Sequence, residues 1–145
     1  MTRRRILVVD DTPEVRSLVC RILESSGYDV MEAPDGPAAV VACQNLKGEI
    51  DLLLTDVKMP GMDGVELART VTAFFPSVRV LYISGQCDVE ELQDQVSKKG
   101  FGFLSKPFVP QMLIEAVEQM LTQGKRPGHA TTLTSRPSVV DKQRA

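Results

Sequence analysis

The sequence alternates between short apolar runs and longer stretches in which apolar residues recur every three or four positions. The short runs have the length of strands and lack a polar alternate face, which is typical of strands that are buried on both sides. The longer stretches have the period of amphipathic helices. We therefore predict five strands, each followed by a helix, and the strands cover residues 5–10, 28–33, 52–55, 78–83 and 101–104.

Capping and breaking residues mark the ends of the predicted helices. Thr12 followed by Pro13 predicts the cap and first position of the first helix, and Gly27 ends it. Asp63 and Glu66 have the capping-box spacing at the start of the third helix. The helical spacing predicts that the first helix buries Val15, Leu18, Val19, Ile22 and Leu23.

The regular alternation of strands and helices determines the expected fold class. Short connections between such elements favour a parallel sheet with right-handed crossovers and helices on both faces. We predict an α/β fold with a five-stranded parallel sheet in the flavodoxin-like, doubly wound order 2-1-3-4-5. In this arrangement a ligand binds beyond the carboxyl ends of the strands, between strands 1 and 3.

The length of 145 residues and the 43% hydrophobic content are those of one globular domain. We place this domain over 1–124 and predict a disordered tail over 125–145, which is polar and has no periodicity. Residues 1–124 carry 12 Lys and Arg against 18 Asp and Glu, a net charge of −6, whereas 125–145 carry 5 against 1, a net charge of +4. The acidic body argues against direct DNA binding by the folded domain.

The apolar runs are far shorter than the ~20 residues that cross a bilayer. The apolar run after Arg3–Arg5 is also too short for a signal peptide. Cys20, Cys43 and Cys87 do not have the spacing of a metal site. We therefore expect a cytoplasmic protein with reduced thiols and without membrane contact.

Acidic side chains follow two of the predicted strands at the point where each ends. Asp10 and Asp11 follow strand 1, and Asp56 follows strand 3. Because neighbouring parallel strands lie ~5 Å apart, these carboxylates should converge and repel one another unless a cation neutralises them. Oxygen ligands of this kind suit Mg²⁺, or Mn²⁺.

Two further polar side chains are expected at the same edge of the sheet. Ser84 ends strand 4, and Lys106 follows strand 5. A metal ion and a lysine can neutralise phosphoryl oxygens, and a hydroxyl can donate a hydrogen bond to them. Each residue alone is more often a cap, a turn residue or a solvated side chain, but together they predict a phosphoryl site at which Asp56 is the nucleophile.

Several motifs occur in an order that resembles one known family. They are ILVVDD at 6–11, LLLTDVKMPGMDG at 52–64, ISG at 83–85 and SKPF at 105–108. With these motifs the chain resembles the receiver domain of two-component response regulators over about residues 5–122.

This resemblance implies a role for each matching acid. Asp56 corresponds to the aspartate that a partner histidine kinase phosphorylates. Asp11, Asp56 and the backbone carbonyl of Lys58 correspond to the Mg²⁺ ligands, and Asp10 would act there mostly through water.

The resemblance also implies a switch. Lys106 corresponds to the lysine that contacts the phosphoryl oxygens, and the Lys106–Pro107 bond is cis in the family. Ser84 corresponds to the hydroxyl residue that moves toward the phosphoryl group, and Phe103 to the aromatic residue that turns inward in response. The surface of helix 4, strand 5 and helix 5 then changes, while Lys58 and Gln86 are expected to tune the phosphoryl lifetime.

The implied partners are a sensor histidine kinase or phosphotransfer protein and an unknown downstream protein. The chain would be a separate receiver or part of a hybrid histidine kinase, and it would have no enzymatic activity beyond its own phosphorylation and dephosphorylation. A degenerate receiver that binds a partner without phosphorylation is the alternative. A hydrolase with an Asp nucleophile is less favoured, because the acids are split between strands 1 and 3. A flavin-binding domain is less favoured, because Asp10 and Asp11 follow strand 1 where its phosphate loop would be needed.

Overall fold

The computed structural model describes residues 3–85, 89–96, 98 and 100–123. Five strands form one parallel sheet in the order β2-β1-β3-β4-β5, which confirms the predicted fold class. In chain order the strands are β1 (Arg5–Val9), β2 (Asp29–Ala33), β3 (Leu52–Asp56), β4 (Arg79–Ser84) and β5 (Phe101–Ser105).

A helix follows each strand. These are α1 (Pro13–Ser25), α2 (Gly36–Asn45), α3 (Gly64–Phe74), α4 (Val89–Val96) and α5 (Pro110–Gln123). Two buried clusters of apolar side chains cover the two faces of the sheet: α2, α3 and α4 contribute to one, and α1 and α5 to the other. The helices therefore lie on both faces, as the alternation of elements predicts.

The central strand β3 shows why its sequence is continuously apolar. Leu53 packs into the cluster with α2, α3 and α4, whereas Leu52 and Leu54 pack into the cluster with α1 and α5. All three side chains are buried because successive residues of a strand point to opposite faces. The run ends at Asp56, where the chain leaves the covered part of the sheet.

The predicted face of α1 is wrong at one position. Leu18 is 50% exposed, whereas Cys20, which we did not expect on this face, is buried. The stripe of α1 that meets the sheet passes through Val19, Cys20 and Leu23. Around the helix axis Leu18 lies about 140° from Leu23 and about 160° from Cys20, so it points away from the core.

The predicted cap of α1 is also not made by the expected side chain. Thr12 is the N-cap residue with an extended backbone, but its side chain makes no capping hydrogen bond. The turn is held instead by Asp10, whose Oδ1 accepts from the amide of Thr12 at 2.9 Å. At α3 the prediction is confirmed, since Asp63 accepts from the amide of Glu66 at 2.9 Å.

Three predictions fall outside the residues that the structure describes: the tuning role of Gln86, the reduced thiol of Cys87 and the tail over 125–145. Among the described helices, none is long and apolar enough to cross a membrane.

Candidate functional site

Three carboxylates meet at the carboxyl edge of the sheet. Val9 of β1 is paired with Thr55 of β3, so the residues that follow them are neighbours across the two strands. Ligand oxygens of Asp10, Asp11 and Asp56 all lie within 4.8 Å of one another. The structure thus brings together the three acids that the sequence places there.

The three acids differ in their exposure to solvent. Asp10 is buried, with 5% of its surface exposed, Asp56 is partly buried and Asp11 is exposed. Burial raises the pKa of Asp10, and the nearby charge of Asp56 raises it further, although the hydrogen bond from Thr12 partly opposes this shift. The edge of the sheet therefore holds negative charge in a place that disfavours it.

The Asp56 carboxylate is held from two sides. Its Oδ1 accepts from the amide of Val57 at 2.8 Å, and its Oδ2 is 3.3 Å from Nζ of Lys106. The hydroxyl of buried Thr55 donates to the backbone carbonyl of Asp56 at 2.8 Å and fixes the end of β3. The contact between Oδ2 and Lys106 is longer than the hydrogen bond between Oδ1 and Val57. Oδ2 is therefore the carboxylate oxygen that is held less firmly.

Lys106 reaches Asp56 because the loop after β5 is tied to the end of β4. The amide of Lys106 donates to the carbonyl of Ser84 at 2.8 Å, and the following peptide bond, to Pro107, is cis, as the resemblance implies. The Lys106 side chain is 34% exposed and that of Asp56 is 12% exposed. The pair is therefore more open to solvent on the lysine side than on the aspartate side.

Ser84 lies at the same edge of the sheet as Asp56. It is 1% exposed, and its hydroxyl donates to the carbonyl of Gly85 at 3.3 Å. In the sheet, Ile83 is the residue paired with Asp56, which places Ser84 one residue beyond it. A bond from this hydroxyl to a phosphoryl group stays a prediction.

Phe103 lies on β5, in register with Tyr82 of β4. Its ring is partly buried and packs against the cluster that contains Tyr82. Tyr82 is fully buried, and its hydroxyl has no hydrogen-bond partner within the part of the chain that the structure describes. The inward turn of Phe103 remains a prediction, as does the role of the Lys58 carbonyl as a ligand; the Lys58 side chain is exposed.

Gly64 is a site residue that our sequence reasoning did not identify. Its amide donates to the carbonyl of Val57 at 2.8 Å, and a Cβ at this position would collide with the backbone carbonyl of Asp56. The chain between Asp56 and α3 therefore turns back so closely that only glycine fits. A glycine directly after the capping Asp63 was the available signal.

The donor set fits a hard divalent cation. The three clustered side chains offer only carboxylate oxygens, which Mg²⁺ and Mn²⁺ prefer. The Lys106 contact provides a single positive charge against three acids. A bound cation would compensate the remaining repulsion.

The model of the family described as the response regulator receiver domain matches residues 6–118. The chain belongs to this family. The matched residues contain β2 to β5, all of β1 except Arg5, and every acid of the cluster, so the receiver fold and the site are covered by the same match.

Individual receivers show the same likeness. The chain is 36% identical over 118 residues to the response regulator receiver protein CpdR of Brucella abortus (strain 2308), covering 81% of this chain and 97% of CpdR. It is also similar to a crystal structure of the receiver domain of the hybrid histidine kinase CckA, with a TM-score of 0.69 and 38% identity, covering 81% of this chain and 98% of that one.

The relatives differ in what surrounds the receiver. The sensor kinase CckA of Brucella abortus (strain 2308) is 36% identical over 116 residues, but the match spans only 12% of its length. The match to the two-component response regulator ARR21 of Arabidopsis thaliana, at 33% identity, spans 21% of that protein. The receiver therefore occurs both nearly alone and within much longer proteins.

Proposed function

We propose that this receiver accepts a phosphoryl group on Asp56 from a phosphohistidine of a sensor histidine kinase or phosphotransfer protein. The observation that carries the proposal is the Asp56 carboxylate itself, partly buried, grouped with two further acids within 4.8 Å and contacted by Lys106 at 3.3 Å. A structural acid would not need three like charges in one place. A phosphoryl acceptor does, because it must hold a cation and a transferred anion together.

In the proposed transfer, an oxygen of Asp56 attacks phosphorus in line with the leaving group. A new P–O bond forms as the P–N bond to the donor imidazole breaks, and the bond electrons leave with the imidazole nitrogen, which then takes up a proton. Oδ2 is suited to be the attacking oxygen, since Oδ1 is engaged by the amide of Val57 at 2.8 Å. Lys106 would then neutralise the phosphoryl oxygens, which carry more charge than the carboxylate it now contacts.

The proposed metal ligands are Asp11, Asp56 and the backbone carbonyl of Lys58, with Asp10 acting through water. When bound, Mg²⁺ or Mn²⁺ would neutralise the carboxylates and the oxygens of the incoming phosphoryl group. Asp10 is suited to the indirect role, because it is buried and its Oδ1 already accepts from Thr12.

The proposed signal begins at Ser84 and ends at the surface of α4, β5 and α5. The Ser84 hydroxyl has only a 3.3 Å contact with its neighbouring carbonyl, which a charged phosphoryl oxygen can replace. Movement of Ser84 would leave space for Phe103 to turn inward, and a downstream protein would bind the altered surface. We expect this to take place in the cytoplasm, where buried Cys20 and Cys43 remain free thiols.

We do not expect turnover of a foreign substrate. Water would hydrolyse the aspartyl phosphate and reset the receiver, with Lys58 and Gln86 tuning its lifetime. The chain would thus promote only its own phosphorylation and dephosphorylation.

The test is exposure to acetyl phosphate and MgCl₂ followed by intact mass spectrometry. We expect one added phosphoryl group, with loss of acetate from the donor, and no addition in Asp56→Asn. Asp63→Asn is the matched control, because Asp63 caps α3 outside the acid cluster. An unmodified but folded parent would refute phosphoryl acceptance from this donor and favour a binding module that works without phosphorylation.

A further inference from the structure

Arg16 of α1 connects the acid cluster to the neighbouring strand. Its Nη1 donates to the backbone carbonyl of Asp10 at 2.8 Å, and its Nε donates to Oε1 of Glu32 on β2, also at 2.8 Å. The Arg16 side chain is 17% exposed, so the guanidinium is largely shielded from water. Both hydrogen bonds are short and involve a charged donor, which makes them stronger than neutral hydrogen bonds.

The bond to Asp10 occurs where the strand ladder ends. The amide of Asp10 still pairs with the carbonyl of Ala33 on β2, at 3.4 Å, but β1 ends at Val9. The Asp10 carbonyl therefore takes its partner from a side chain rather than from the sheet. This carbonyl begins the turn that carries both Asp10 and Asp11, so whatever fixes it also fixes the direction of the two carboxylates.

We propose that Arg16 is a positioning residue of the metal site, which holds the Asp10–Asp11 turn against β2 through the Asp10 carbonyl and Glu32. The inference rests on the proposed function only for the identity of the cation. Arg16 would not contact the metal or the phosphoryl group. Its planar guanidinium makes two divergent bonds at once, which a lysine ammonium cannot reproduce with the same geometry.

A positioning role and a role of charge alone predict opposite changes in Mg²⁺ affinity when Arg16 is removed. If Arg16 acted only through its positive charge, it would repel a cation, and its removal would strengthen Mg²⁺ binding. If it positions the acids, its removal weakens Mg²⁺ binding. Residues that orient metal ligands from outside the coordination shell commonly contribute ~10-fold or more to metal affinity.

The chain contains a matched ion pair for comparison. Arg5 of β1 contacts Asp29 of β2 with Nε–Oδ2 at 3.1 Å, at the opposite end of the same two strands. This pair also joins an arginine to an acid of β2, but it lies far from the carboxyl edge. Breaking either pair would lower the stability of the fold in general. Only the removal of Arg16 is expected to lower the affinity for the metal.

The experiment is a titration of the full chain with MgCl₂, followed by the amide NMR signals of the Asp10–Thr12 turn without a phosphodonor. We expect Arg16→Ala to weaken Mg²⁺ affinity by about tenfold, and Arg5→Ala to stay within about twofold of the parent. Arg16→Lys keeps the charge and should still weaken binding, by less than Arg16→Ala. Glu32→Ala should also weaken it, and adding Glu32→Ala to Arg16→Ala should cause no further loss.

Unchanged or tighter Mg²⁺ binding in Arg16→Ala would overturn the inference, as would an equal loss in Arg5→Ala or a parent that binds no Mg²⁺. If Arg16→Ala does not fold, Arg16→Lys makes the same test, because a role of charge alone would leave the Mg²⁺ affinity of this variant unchanged. Failure of acetyl phosphate to modify a parent that binds Mg²⁺ would refute the proposed phosphoryl transfer and leave the inference about Arg16 standing.

Discussion

Acidic side chains have different surroundings at the two ends of the sheet. At the amino ends, Asp29 contacts Arg5 at 3.1 Å and Asp51 contacts Arg4 at 3.9 Å, while Oδ2 of Asp51 also accepts from the amide of Arg5 at 2.8 Å. At the carboxyl ends, three carboxylates lie within 4.8 Å of one another and Lys106 contacts one of them. At the amino ends each of these acids meets an arginine, whereas at the carboxyl ends three carboxylates lie close together.

The largest effect is expected from removing the cation at the carboxyl edge. Lys106→Ala should slow phosphorylation by acetyl phosphate about 10²-fold, because a preorganised charge is lost where the phosphoryl charge gathers. The rate is measured by intact mass against time. Arg4→Ala, which removes a cation from the amino edge, should leave the rate unchanged, and a similar slowing in both variants would contradict the distinction between the edges.

The close approach of Gly64 to Asp56 is expected to produce the next largest effect. Gly64→Ala should lower the free energy of unfolding by about 1–3 kcal/mol, since the added methyl must displace the backbone beside Asp56. Urea unfolding measures this change. Gly85→Ala is the control at the same edge, because a Cβ there meets no atom of the described residues within 4 Å. Equal destabilisation by both substitutions would show that the close approach is unimportant.

Neutralising an acid should have opposite effects at the two edges. In metal-free buffer at neutral pH, Asp10→Asn should raise the melting temperature, because burial and the charge of Asp56 hold the pKa of Asp10 above its ordinary value of 3.8. The charged form is therefore the unfavourable one in the folded state. Since the folded pKa lies above the unfolded one, the advantage of Asp10→Asn should shrink as the pH falls through the folded pKa toward 3.8.

The matching substitution at the amino edge is Asp29→Asn, which should lower the melting temperature slightly instead of raising it. Thermal unfolding of both variants, with EDTA present, measures the contrast. Destabilisation by Asp10→Asn across the whole pH range would mean that the Asp10 carboxylate is already compensated within the fold.

The smallest effect is expected for the partly exposed pair between Arg5 and Asp29. Exposed ion pairs contribute about 0–1 kcal/mol, so Arg5→Ala should lower the free energy of unfolding by no more than this. The loss should largely disappear in 1 M salt, where the screening length is about 3 Å. Urea unfolding at low and high salt measures it, and a salt-independent loss would indicate that the Arg5 stem contributes by packing.

Much of the candidate site was predictable because of where parallel strands end. The apolar runs place Asp10, Asp11 and Asp56 at strand ends, and the strand order then makes those ends neighbours. The same reasoning predicts Ser84 and Lys106 at this edge. In the structure the amide of Lys106 donates a hydrogen bond to the carbonyl of Ser84. Predicted strand bounds differ from the observed ones by about one residue, because the apolar pattern does not show where the ladder of hydrogen bonds stops.

The wrong predictions concern residues that are equivalent in the local sequence pattern and differ only in their tertiary packing. Leu18 and Cys20 both fit an apolar helix face. Cys20 is the buried one because of the way α1 is rotated about its axis against the sheet. Thr12 is a suitable cap, but its side chain makes no capping hydrogen bond, and its own amide donates to Asp10. Periodicity and capping preferences identify an element reliably, but they do not specify its rotation.

The sequence by itself determined the order of elements, the parallel sheet and the edge at which the acids gather, since each follows from hydrophobic period and strand direction. Only the tertiary structure decided that Asp10 is the buried acid, that Gly64 lies against the Asp56 carbonyl, and that Arg16 joins the Asp10 carbonyl to Glu32. These features depend on atoms brought together by packing across different elements. The distances that decide them are a few ångströms, which a pattern of residue types along the chain does not encode.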